Sequence, residues 1–182
     1  MATAQARVNP PARLLDDSFL KFLPAPLREP RRAWLVLPLS LVLTLAGAAV
    51  IALVLAAVMP RLDQPDFSMF IGKGLLAVVA LAVATPLVET LILAVTCSAL
   101  LRFVRPELAI LISSLGWAIA HSYQAPVWGL VIFWPFMIFS TLYVVWKQRS
   151  LMLGILMPFA AHFLHNLYPS ISIGFPGAVP SA

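Results

Sequence analysis

The chain has 182 residues, 62% of them hydrophobic and only 10% charged, with a mean hydropathy of +0.97. A water-soluble domain of this size cannot hide so large an apolar fraction, so the composition excludes an ordinary soluble globule and predicts an all-α integral membrane protein. The formal charge of +5 does not point to nucleic acid, because the basic residues gather at the edges of apolar runs; the expected surroundings are the lipid bilayer.

Residues 1–33 form a basic leader carrying Arg7, Arg13, Lys21, Arg28, Arg31 and Arg32. Its first eleven residues are expected to stay unstructured. Leu15, Phe19, Phe22 and Leu23 then recur at helical spacing, which predicts a helix lying on the membrane surface, with Asp17 and Lys21 paired on its polar side. Pro24, Pro26 and Pro30 should end it.

A helical membrane domain is expected over residues 34–168. Residues 35–59 lack any charge and are long enough to cross a hydrocarbon core of about 30 Å. The run 70–101 carries Lys73 near one end and Pro86 and Glu89 in its middle, which predicts a long helix that tilts or kinks. The apolar run 108–120 is short and crosses only if it extends through His121 and Tyr123. Residues 126–146 and 151–167 complete a bundle of about five transmembrane helices. Residues 169–182 are uncharged and rich in Pro and Gly, and read as a short loose tail. Cys97, the single cysteine, offers neither an intrachain disulfide nor a cysteine metal cluster.

Lysine and arginine should accumulate in alternate loops on the cytoplasmic side. The leader, the connection with Arg102 and Arg105, and the connection with Lys147 and Arg149 are those loops, and the opposite ones hold little beyond Arg61. The expected topology is N-terminus in the cytoplasm and C-terminus outside. Trp34, Tyr143 and Trp146 are read as interfacial anchors on the basic side, and Tyr123, Trp128 and Tyr168 on the other.

Against this apolar background four polar residues stand out: Glu89, His121, His162 and Asn166. Ionisable groups inside a membrane are costly and mark function. Counted along each helix from its basic end at about 1.5 Å per residue, Glu89, His121 and His162 all lie roughly 20 Å deep, and Asn166 about one turn further. Four groups at one level predict a shared buried site. His162 and Asn166 are four residues apart on one face, while Trp117 and His121 share another. A carboxylate with a histidine can take a proton from water, and a second histidine with an amide can donate to a developing oxyanion, which is what amide hydrolysis requires.

The order of PLVET around Glu89, Trp117-xxx-His121 and His162-xxx-Asn166 resembles the CPBP (Abi) family, over roughly residues 70–168. That family includes CAAX prenyl endopeptidases, glutamate-type intramembrane proteases and bacteriocin-processing and immunity proteins. The resemblance implies that Glu89 activates water with His121, and that His162 and Asn166 stabilise the tetrahedral intermediate. Thr90 stands where the family usually has a second glutamate, Ala94 where it has arginine, and Trp117 where phenylalanine is common. His165 matches no motif position and is read as a packing residue.

Family members are described both as metalloproteases and as metal-independent enzymes. Glu89, His121 and His162 would supply a two-histidine, one-carboxylate set for zinc, although HExxH is missing; the metal-independent reading is preferred and no other cofactor is expected. The expected function is that of an intramembrane endopeptidase of the bacterial inner membrane, acting on a membrane-associated protein or peptide. The alternative is a non-catalytic membrane interaction or bacteriocin-immunity protein on the same scaffold.

Overall fold

The computed structural model describes residues 14–59 and 64–178, and every regular element among them is helical. Five long helices follow in order: α1 (Ala33–Val58), α2 (Leu75–Leu100), α3 (Pro106–Ser122), α4 (Trp128–Trp146) and α5 (Leu151–Gly174). The protein is an all-α, multi-pass membrane protein. All but α3 are long and apolar enough to cross a bilayer. The α3 helix has 17 residues, about 25 Å at helical rise, and it does extend through His121 to Ser122.

Cross-helix contacts fix the directions. Ser140 on α4 donates to Ser113 on α3 while Gly129 lies against the Ala118 carbonyl, so these helices run antiparallel. On α5, Gly154 sits beside Lys147 and His162 beside Phe139, which makes α4 and α5 antiparallel too. The α4 helix is the hub: residues 135–146 are all buried. By contrast α1 is peripheral, burying only Val36, Ser40 and Thr44, and presents Val50, Leu53 and Val54 outward as a lipid-facing surface.

The leader differs from the expected amphipathic helix. It folds as two 3-10 turns, Phe19–Phe22 and Ala25–Arg28, because prolines at 24 and 26 remove the donors a longer helix needs. Leu15, Leu20, Leu23 and Leu27 are buried against the bundle, whereas Phe19 and Phe22 are exposed; Phe22 still stacks on Trp134. Arg28 pairs with Asp16, and Arg149 donates to the Pro30 carbonyl at 3.2 Å, tying the leader to the α4–α5 loop. Two expected aromatic anchors are also interior residues. Tyr143 and Trp146 are 0% and 2% exposed, and Tyr143 hydrogen-bonds Ser98.

At the opposite end α5 continues past Leu167, through Pro169, to Gly174. A helix end leaves carbonyls without intrahelical partners. Here the α1–α2 connection supplies them: Gly72 N–H donates to the Ile173 carbonyl at 3.0 Å and Gly74 N–H to the Gly174 carbonyl at 2.8 Å. Gly72 and Gly74 take φ of 71° and 58°, a region that favours glycine, and a Cβ at Gly174 would meet the Gly74 oxygen at 2.6 Å. This backbone clasp ties the start of α2 to the end of α5.

Candidate active site

Glu89 lies just beyond a local change of helix type. Residues Val79–Ala84 of α2 form a π-helical turn, in which Thr85 N–H reaches back five residues to the Ala80 carbonyl. The next bond in that register would run from residue 86 to Leu81, but Pro86 has no N–H. The Leu81 carbonyl is therefore left without a backbone donor, and Asn166 on α5 supplies one, its Nδ2 donating at 3.0 Å. Proline, bulge and amide together set how α2 faces α5, one to two turns before Glu89.

Glu89 sits between two histidines. Its Oε1 is 3.5 Å from His121 Nε2 and its Oε2 is 3.5 Å from His162 Nε2. The side chains are 16%, 12% and 5% exposed respectively, so little but the wall of a cavity can reach them. Both imidazoles are held by aromatic rings. Phe139 stacks on His162 with centroids 4.5 Å apart, Phe136 meets the His162 ring edge-on, and Trp117 stacks on Phe136 at 4.6 Å.

The two histidines differ in how their protons are fixed. His121 Nδ1–H donates to the Trp117 carbonyl at 2.9 Å, within one helical turn. In the neutral ring Nε2 is then a lone pair facing the Glu89 carboxylate. Two acceptors at that separation need a proton between them, supplied by an imidazolium or by a water donating to both. His162 Nδ1 is buried without a hydrogen-bond partner, which favours the neutral ring with its proton on Nε2, 3.5 Å from Glu89 Oε2.

The cavity beside these groups has a volume of about 220 Å³. Glu89, His121, His162 and Asn166 all line it, so the four polar residues of the sequence reading come together on α2, α3 and α5. His165 lines it as well. Its Nδ1–H donates to Thr44 Oγ1 at 3.0 Å, since the Thr44 hydroxyl is itself spent on the Leu41 carbonyl. Motif spacing missed that residue because its partner is on α1, outside the motif helices. Gln124 and Phe67 complete the rim from positions with no sequence signature, and Thr85 joins them from one turn before Glu89 on the same polar stripe of α2.

Thr90 and Ala94 are 1% and 6% exposed and four residues apart on α2. Both are uncharged, so this stretch of α2, residues 90–94, brings no charge of its own into the core. Among the described residues no group of three or more His, Cys, Asp and Glu side chains is arranged to hold a metal ion.

Residues 71–168, more than half of the chain, match the family described as Type II CAAX prenyl endopeptidase Rce1-like. No curated protein and no solved structure matches the chain.

Proposed function

The chain belongs to the Rce1-like family of type II CAAX prenyl endopeptidases, and from that premise we propose that it hydrolyses a peptide bond of a membrane-associated protein or peptide with water activated by Glu89. The observation that carries this reading is the convergence of Glu89 on His121 and His162, each at 3.5 Å, beside a cavity in a membrane bundle. A water within hydrogen-bond reach of both Glu89 Oε1 and His121 Nε2 relieves the clash of two acceptors. It stands where a nucleophile is needed.

In the reaction Glu89 takes a proton from that water, whose oxygen bonds to the carbonyl carbon of the scissile peptide. His121, oriented by Trp117, stabilises the charge distribution of the pair. The developing oxyanion accepts from His162 Nε2–H and from the Asn166 N–H that Leu81 does not use. Glu89 then returns its proton to the leaving nitrogen as the C–N bond breaks, giving a carboxylic acid and an amine, and the remaining water proton passes from the acid to the amine. The surrounding apolar helices keep bulk water out while the cavity admits the reacting one. The reaction needs no metal, and the protein works in a bacterial inner membrane with its N-terminus in the cytoplasm.

The test is cleavage of a membrane-peptide library by the protein purified in detergent, compared with Glu89→Gln, each with and without a chelator. The expected result is turnover by the native protein, unaffected by chelator, and none by a folded Glu89→Gln. Unchanged turnover in Glu89→Gln removes the mechanism, and loss with chelator replaces it with a metal-dependent one. The exchange of the family's acid and base for Thr90 and Ala94 supports a second reading, a non-catalytic membrane interaction or immunity protein. It requires the cellular phenotype to survive in both Glu89→Gln and His121→Ala.

A further inference from the structure

The cavity and the charged loops occupy opposite ends of the bundle. The Arg149 bond to Pro30, and Lys147 Nζ donating to Ser98 near the end of α2 at 2.9 Å, bring the leader, the α2–α3 loop and the α4–α5 loop to one end. Of the twelve lysines and arginines in the sequence, all but Arg61 and Lys73 lie in those segments. The α1–α2 connection at the other end balances Arg61 and Lys73 with Asp63 and Asp66, and the α3–α4 connection has no charge. By the bias of basic loops toward the cytoplasm, the end bearing the leader is the cytoplasmic one.

The cavity lining comes from the other half. Phe67 and Gln124 belong to the two connections at the far end, Trp128 to the first turn of α4, and Ser170 and Ile173 to the last turns of α5. None of the basic loop residues lines it. On the cytoplasmic side of the site the interior is filled: Phe139 lies against His162, and Leu142, Tyr143 and Trp146 beyond it are at most 2% exposed. A second hollow of about 80 Å³, lined by Leu55, Ala56 and Gln64, shares Trp128 and Val131 with the first. It opens an apolar flank between α1 and α4 at that same far end.

We infer that the site is entered from the extracytoplasmic face, and that its substrates are membrane-anchored peptides or protein segments whose scissile bond lies on that side, with an apolar stretch resting between α1 and α4. This rests on the peptidase reading above. A peptide presented from the cytoplasm meets the packed layer of Phe139, Leu142 and Tyr143 before it meets Glu89.

The experiment uses the full chain in intact cells with a membrane-impermeant maleimide. Cys97 is fully buried and gives the unlabelled baseline. Gln124→Cys at the cavity mouth is expected to label in intact cells, and Arg149→Cys only after permeabilisation. The reverse pattern overturns the inference whether or not the protein is a peptidase. Two single-pass reporters carrying the same scissile segment, one displayed outside and one inside, then separate access from chemistry. Cleavage of the outside reporter alone supports the inference, and cleavage of the inside reporter alone overturns it. If neither is cleaved while Gln124→Cys labels from outside, the assignment of the entrance stands and the peptidase reading fails.

Discussion

Toward the basic end, α4 buries each residue from 135 to 146, and the leader covers the bundle with Leu15, Leu20, Leu23 and Leu27. Toward the other end the same helix offers Trp128, Val131 and Ile132 to a cavity. Polar groups follow the same division. In the packed half Ser113 and Ser140 bond each other, and Tyr143, Ser98 and Lys147 form a connected chain of contacts. In the hollow half Glu89 faces two histidines at 3.5 Å, and one imidazole nitrogen stands without a partner. Each half leaves one buried nitrogen without a partner, Trp146 Nε1 in the packed half and His162 Nδ1 in the hollow one, so what separates them is the cavity beside Glu89 and its two histidines. One half is filled, and the other holds the groups proposed to react.

Substitutions should separate the halves. The largest effect is expected on turnover: His121→Ala should lower cleavage by about 10²–10⁴-fold, the usual contribution of a positioned acid or base. Thermal unfolding in detergent should move less, because the only hydrogen bond the ring makes among the described residues is to its own helix, although it also faces Glu89 on α2 and Phe136 on α4. In the packed half Leu20→Ala should do the converse, costing about 2–5 kcal/mol of stability while turnover per folded molecule stays unchanged. A fall in turnover without a fall in stability would break the comparison.

A smaller effect should cross the boundary. Asn166→Ala leaves the Leu81 carbonyl without a donor and should cost about 1–3 kcal/mol. Pro86→Ala restores a backbone N–H and should return part of that loss in the double variant, read from the unfolding midpoints. It should not restore cleavage, because straightening the π turn rotates Glu89 relative to α5. Recovery of both together would mean that the bulge has no bearing on the site.

Much of this was legible beforehand, for reasons visible in particular residues. Glu89, His121, His162 and Asn166 stand out because lipid makes each costly, and a common depth follows from counting along helices of fixed rise. Their meeting needs only antiparallel packing. In the leader, hydrophobic spacing places Pro24 at a helix end but does not distinguish a 3-10 turn from an α-helix over so short a stretch. It also could not foresee that Leu20 and Leu27, rather than Phe19 and Phe22, would be covered by the bundle. An aromatic near a helix end carries no mark of which way it faces, so the sequence reads Tyr143 and Trp146 as interfacial anchors although both are interior. The π turn leaves no period of its own, and its consequence, the bond from Asn166 to Leu81, joins two helices distant in sequence.

The backbone clasp between Gly74 and Gly174 bears on the order in which the protein is made. The helix that carries Glu89 enters the membrane well before the one that carries His162, and the start of α2 finds its partner only when the end of α5 arrives. Until then Glu89 lies in the lipid without one of its two histidines, and the cavity lacks a wall. On the proposed mechanism a nascent chain is therefore inert, and a ribosome-bound intermediate stalled before residue 162 should resist any active-site label that the finished protein takes up.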